Sequence, residues 1–241
     1  MRRSTNLRFM SIAAAVLFAS VALFSKSAFA TPTYSNSQYA TVNGYSYEYY
    51  SHAEVFGTTV DAGGAASCTH TNVPLGYIGI YSLLIGPDYT PVAATDWTYN
   101  DIVCAGLKTY ASSSGVGTYC GRGFVRFYNG GGYNIYRTYD SPYVQIQSSN
   151  GLREDLMESI FDPWSKESPV LIQARGTNGS EGYIRYSDLG IDSAPASPKE
   201  AVASMGLQPE VRYIPVYGED GAVIDEFPIY RGENNFRTTT I

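Results

Sequence analysis

Tyrosine alternates with other residues over positions 42–50, so an extended chain there carries Tyr45, Tyr47 and Tyr49 on one face and Ser46, Glu48 and Tyr50 on the other. A helix would scatter those rings around its circumference, so the two-residue period predicts a strand. The pattern is regional, with 17 of the 22 tyrosines between Tyr34 and Tyr143. Over this stretch no useful length of helical periodicity occurs. Gly, Pro, Asn and Ser interrupt the chain about every ten residues, the spacing of short strands in a β-sandwich or barrel. Strands are expected over residues 77–85, 94–99, 102–110, 117–128 and 133–139. The last two are joined by Asn129-Gly-Gly-Gly132, whose glycines permit positive φ. Tyrosine suits half-exposed strands, because its ring packs on the pleat while its hydroxyl stays wet.

Composition changes near residue 147. Residues 31–147 carry 4 basic and 7 acidic groups, and residues 148–241 carry 8 and 15. This divides the chain into residues 1–30, a Tyr-rich all-β domain over 31–147, and a smaller acidic α+β module over 148–241. In that module Leu152, Leu156, Met157, Ile160 and Phe161 form a helical stripe with Arg153, Glu154, Asp155 and Glu158 turned outward. Residues 169–175 and 182–186 read as one hairpin, and 211–217 and 222–230 as a second across Gly218-Glu-Asp-Gly221. Ser197-Pro-Lys-Glu200 is a capping box with Pro at the first helical position, and its short helix should stop at Gly206. The fold class expected is mainly β: a Tyr-rich sandwich followed by a module of two hairpins and two short helices.

Residues 1–30 read as a secretory signal: Arg2, Arg3 and Arg8, an apolar run over 9–24, and Ala28-Phe-Ala30 before Thr31. Cleavage is expected between Ala30 and Thr31, which places the protein outside the cell. The remaining chain would hold 12 basic against 22 acidic groups, a net charge of −10. Such a surface repels phosphate backbones and anionic lipid, so neither nucleic acid nor membrane is an expected partner. Cys68, Cys104 and Cys120 allow at most one internal disulfide. Cys104 and Cys120 flank the turn-rich Ala111–Gly117 segment and are the favoured pair, with Cys68 buried.

Two sets of motifs carry a resemblance. One is Gly176-Thr-Asn-Gly-Ser-Glu-Gly-Tyr-Ile-Arg-Tyr-Ser-Asp-Leu189, with Ser197-Pro-Lys-Glu-Ala-Val202 and Ile214-Pro-Val-Tyr-Gly-Glu-Asp-Gly221. The other is Val73-Pro-Leu-Gly-Tyr-Ile-Gly79, Trp97-Thr-Tyr-Asn100 and the Gly117–Tyr133 stretch. The first resembles a C-terminal module of uncharacterised extracytoplasmic proteins of Gram-positive bacteria, and the second is similar to their secreted Tyr-rich proteins. The resemblance implies location and architecture, and it carries no catalytic residues. In the first motif Gly179 and Gly182 suit a tight hairpin, with Asp188 placed to accept backbone N–H bonds.

No chemistry stands out. His52 and His70 are the only imidazoles, and no G-x-S-x-G elbow accompanies them. Cys68 and His70 lack the spacing of a zinc site, and Glu219, Asp220, Asp225 and Glu226 only approximate calcium ligation. No metal or other cofactor is expected. What remains is aromatic surface: Tyr45, Tyr47 and Tyr49 on one strand, Trp97 and Tyr99 on another, Phe124, Arg126 and Tyr128 on a third. The expected function is non-catalytic binding of an envelope polymer or another protein through such a face. Two alternatives are a secreted hydrolase pairing a Cys or Ser with His52 or His70, and a bacteriocin-like antimicrobial protein.

Overall fold

The computed structural model describes residues 31–147, 171–233 and 235–237, the last three by their backbone. Expectations for residues 1–30, for the helix over 151–161 and for the tail after residue 237 lie outside them. In chain order the strands are β1 (Thr33–Tyr34), β2 (Gln38–Val42), β3 (Tyr45–Phe56), β4 (Thr59–Cys68), β5 (Ile78–Ile85), β6 (Pro91–Thr95), β7 (Thr98–Tyr99), β8 (Gly106–Lys108) and β9 (Ala111–Ser113). Then follow β10 (Gly117–Tyr128), β11 (Tyr133–Arg137), β12 (Val144–Ile146), β13 (Leu171–Arg175), β14 (Glu181–Arg185), helix α1 (Pro198–Met205), β15 (Val211–Tyr217), β16 (Val223–Tyr230) and β17 (Asn235–Arg237). The chain is thus mainly β.

The strands make two sheets. One runs β1-β3-β4-β8-β17, with β2 on β3 and β9 on β4. The other runs β11-β10-β5-β6-β16-β15-β14-β13, with β12 on β10 and β7 on β5. Strand β6, from before residue 147, pairs in parallel with β16, from after it. Tyr81, Leu83 and Trp97 share a buried cluster with Ile172, Ile184, Ile214 and Phe227. The change of composition at residue 147 is therefore no break in the sheet or in its core.

Local turns follow from sequence chemistry. Asn43 and Gly44, with φ of 51° and 80°, form the two-residue turn between β2 and β3, since both central residues of such a hairpin need positive φ. The expected strand over 42–50 therefore begins at Tyr45. Ser197 caps α1 by accepting the Glu200 N–H at 3.3 Å, and the helix stops before Gly206. The β13–β14 turn is held by Asp225 of β16, and Asp188 has no part in it. The Asp225 carboxylate accepts N–H bonds from Asn178, Ser180 and Glu226 and bonds from the Asn178 amide and Thr177 hydroxyl. Burial works to raise the pKa of Asp225, but these donors outweigh it and hold the group below the ordinary carboxylate range. Gly176 lies so close to this carboxylate that a Cβ there would collide with it.

The sheets meet most closely at glycines. A Cβ on Gly123 of β10 would lie 2.7 Å from Gly64 Cα of β4, and one on Gly64 would lie 3.0 Å from Gly123 Cα. Ser82 of β5 ties this contact: its hydroxyl accepts the Gly64 N–H at 2.9 Å and lies 3.1 Å from the Thr109 carbonyl, to which it can donate. On one side lies a cluster containing Tyr47, Tyr49, Ile78, Ile80, Val125 and Phe127, and on the other one containing Ala53, Val55, Val60, Leu84, Tyr119 and Ile146. Replacing Gly123 by Ala should force the sheets apart and lower stability by about 1–3 kcal/mol, the usual cost of overpacking, as measured by urea unfolding. Gly131→Ala, with nothing within 4 Å of its added methyl, should change stability far less.

Candidate functional site

The aromatic rows are largely interior. Tyr47, Tyr49, Trp97 and Tyr99 are all 5% exposed or less, and Tyr45 is half-buried. Tyr47 of one sheet stacks on Phe127 of the other, with ring centroids 3.9 Å apart and planes 8° from parallel. Tyr49 meets the same Phe127 edge-on, and Tyr45 packs edge-on against Tyr77. This corrects the expectation of an exposed binding face at Tyr45, Tyr47 and Tyr49. The alternation that marks a strand face does not say which sheet covers it, and here the second sheet does. Phe124 and Arg126 of the third row are buried too, while Tyr128 is half-buried.

The cysteine expectation is also corrected: Cys68, Cys104 and Cys120 carry no disulfide. Cys120 pairs with Ile85 at one end of β5, whereas Cys104 bridges Val73 beside Asn100, whose side chain holds the Ile78 N–H at the other end. The eight-residue strand between them spans about 23 Å at ~3.3 Å per residue. A disulfide tolerates at most about 7 Å between Cα atoms.

His52 is buried in β3 and packs edge-on against Tyr110, with Nε2 3.3 Å from the Thr109 carbonyl and Nδ1 unpartnered. Burial first, and then Lys108, push its pKa down to about 3. The neighbouring Ser51 hydroxyl donates to the Tyr139 carbonyl at 2.6 Å. His70 is exposed and lines a groove with Tyr39, Ser46 and Thr69. Among the described residues, neither imidazole hydrogen-bonds a side-chain hydroxyl or thiol. Because His52 stays neutral in the fold but takes a proton near pH 6.5 once unfolded, its contribution to stability is complete above that pH. It is lost as pH falls from about 6.5 toward about 3. Between pH 6.5 and 5, where most carboxylates remain ionised, His52→Gln should show a smaller fall in urea midpoint than the native chain.

The most chemically loaded cleft lies where Trp97, Tyr99 and Arg126 meet α1 and the loop that precedes it. It encloses about 320 Å³, and its lining includes Asp96, Ser193, Glu200 and Gln208. The Arg126 guanidinium lies 3.8 Å from the centre of the Trp97 ring, a cation–π contact. Its Nη1 donates to the Tyr99 hydroxyl at 2.8 Å and its Nη2 to the Ile191 carbonyl at 2.6 Å. Trp97 is itself fixed: its Nε1 donates to the Gly190 carbonyl at 3.3 Å, and its own carbonyl accepts from Gln208 at 3.0 Å. Alongside, Arg212 of β15 grips Asp96 through Nε at 2.8 Å and Nη2 at 3.2 Å, and donates to the carbonyls of Asp188 and Leu189. Burial raises the pKa of Tyr99 despite the neighbouring Arg126, so its hydroxyl is neutral at physiological pH.

Arg126 is 1% exposed, its Nε has no hydrogen-bond partner, and no carboxylate pairs with it among the described residues. A buried cation so placed is costly unless something compensates it. The Tyr81 hydroxyl, whose ring packs on Trp97 with centroids 5.8 Å apart, is likewise buried without a partner. One larger groove, the roughly 450 Å³ one beside His70, is lined by Tyr47, whose buried hydroxyl also lacks a partner, whereas two others, of about 600 and 550 Å³, are lined by no such group. In the last of these, Glu54, Asp61, Glu210 and Glu233 form an acidic surface, with Glu54 paired to Lys108 at 3.7 Å. No group of three or more His, Cys, Asp or Glu suited to a metal ion occurs among the described residues.

Trp97, Tyr99 and Arg126 were legible as aromatic or cationic strand residues. Asp96, Arg212, Glu200 and Gln208 were not, because residues more than 100 positions apart meet only through the β6–β16 pairing. No protein-family model matches the chain, and neither the curated proteins nor the solved structures searched contain a match. No helix among the described residues is long and apolar enough to cross a membrane.

Proposed function

We propose that the protein is exported and acts without catalysis, as a binding protein of the extracellular or cell-envelope space. In this reading its two sheets form a sandwich that carries the C-terminal hairpins and helix beside it. The contact surface moves from the Tyr45–Tyr49 row, which is core, to the cleft of Trp97, Tyr99 and Arg126. The observation that supports this reading is the buried Arg126 guanidinium, held against an aromatic face with one donor unpartnered. Buried polar groups are ordinarily hydrogen-bonded, and an open guanidinium edge matches a carboxylate. At about 320 Å³, the cleft lies at the small end of ligand sites. A hydrolase reading finds little support, since His52 is buried and neutral and His70 stands apart from the cleft.

Ser193 is exposed on the cleft wall, where a large side chain fills the space without disturbing the sheets. Retention of the native chain, Ser193→Trp and Tyr39→Ser by fractions of a Gram-positive envelope tests the proposal. Retention is expected for the native chain and for Tyr39→Ser, whose ring lies outside the cleft, and a drop of at least ten-fold for Ser193→Trp. Equal retention of all three would place binding elsewhere.

A further inference from the structure

Arg122, Arg126 and Arg212 all lie on strands of the larger sheet, and two of them grip an aspartate along the same edge of the guanidinium. Arg122 donates through Nε and Nη2 to the two oxygens of Asp140, each at 2.6 Å. Arg212 donates through Nε and Nη2 to Asp96 at 2.8 and 3.2 Å. Arg126 is the most similar to Arg122 in burial and lies four residues along β10. Yet along that edge its Nη2 meets only the Ile191 carbonyl, and its Nε meets nothing. The Nε–Nη2 edge is the planar fork that matches a carboxylate with two parallel hydrogen bonds. The acidic groups of the cleft and the Tyr99 hydroxyl are already committed. Asp96 is held by Arg212, the Tyr99 hydroxyl accepts from Arg126 itself, and Glu200 accepts the Ala196 N–H at 2.9 Å on the cleft's exposed side.

We propose that Arg126 is the recognition residue of this cleft and that the ligand presents it a carboxylate, seated on the Nε–Nη2 edge beside the Trp97 ring. The Ile191 carbonyl occupies half of that edge and belongs to the loop over residues 190–195, so entry requires this loop to yield its bond to Nη2. The ligand's remainder then lies along Ser193, Ser204 and Gln208, with Glu200 exposed at the mouth. Glu200 selects against a second negative charge there, so monocarboxylates are preferred to dicarboxylates. The carboxylate can come from a small free acid or from the C-terminus of a peptide. The assignment rests on the binding reading above and adds the chemistry of what is bound.

Calorimetric titration of the full chain with acetyl-Ala-Ala as free acid, with its C-terminal amide, and with acetate tests the assignment. Saturable binding of the free-acid peptide is expected, with at least ten-fold weaker binding of the amide. A comparable affinity for acetate would identify a small acid as sufficient, and binding by the peptide acid alone would identify a chain terminus. Arg126→Lys supplies a point charge without the fork and should weaken the acid at least ten-fold. Ser193→Trp leaves Arg126 untouched and should abolish binding, which keeps the test informative if the Arg126 variant does not fold. The free acid should also raise the native chain's thermal midpoint, and the amide should not. Absence of carboxylate binding, equal binding of acid and amide, or undiminished binding by a folded Arg126→Lys chain would each overturn the assignment. If no carboxylate binds while Ser193→Trp still loses retention by envelope fractions, the cleft remains the binding site and only its ligand chemistry falls.

Discussion

The contact between Gly64 and Gly123 sets the distance between the two sheets, and most of what distinguishes the structure depends on that distance. Sheets packed through ordinary side chains stand about 10 Å apart. Here backbone approaches backbone. A Cβ on Gly121 would collide with the His52 carbonyl, and one on Gly63 with the Ser82 hydroxyl. A single glycine could be a turn device, but four at one crossing, all in strands, are a packing device. The polar groups trapped there are satisfied locally: Ser82 serves Gly64 and Thr109, and the Ser141 and Thr138 hydroxyls accept the N–H groups of Gly121 and Gly123 at 2.8 Å.

On either side of this contact the space between the sheets holds larger side chains. On one side it is filled by the rings of Tyr47, Tyr49, Phe127 and Tyr136, whose neighbouring centroids lie 3.9 to 5.9 Å apart. From there the contacts pass through Tyr45, Tyr77, Tyr128 and Tyr133 to Tyr99 and Trp97. Tyrosine rings thus fill the interior, and some of their hydroxyls reach polar groups at its margin, as Tyr133 reaches the Gly76 carbonyl at 2.6 Å, whereas those of Tyr47 and Tyr81 are buried without a partner. Where the aromatic run ends, at Trp97, the C-terminal strands and α1 close over it, and there the buried Arg126 lies.

Much of this was legible in the residues. β10 spans the expected 117–128, β5 begins one residue late, and both C-terminal hairpins and the capped helix lie where turn and cap chemistry put them. The longest strand the sequence conceals is β4, central to its sheet. Its Ala62-Gly-Gly-Ala-Ala66 run has poor β propensity, because close packing against β10 demands small residues that an isolated strand would not favour. The burial of the Tyr45 row is hidden in the sequence for a related reason, since the sheet covering it includes strands far away in the chain. Asp225 anchors the β13–β14 turn through a contact 45 to 48 residues long, which no local motif encodes.

The central claim, that tyrosines fill the interior rather than form a surface, is tested most directly by spectrophotometric titration of the tyrosines with pH. Burial is the largest cause of a raised pKa at Tyr47, Tyr49, Tyr81, Tyr99, Tyr110 and Tyr133. A group whose pKa is raised by folding stabilises the fold fully below its unfolded value of about 10, and that contribution is lost as pH rises beyond it. The buried set is therefore predicted to ionise only above the pH at which free tyrosine does, together with loss of the folded circular-dichroism signal. Ionisation of all 22 tyrosines in one reversible step near pH 10, with the fold intact, would contradict the account.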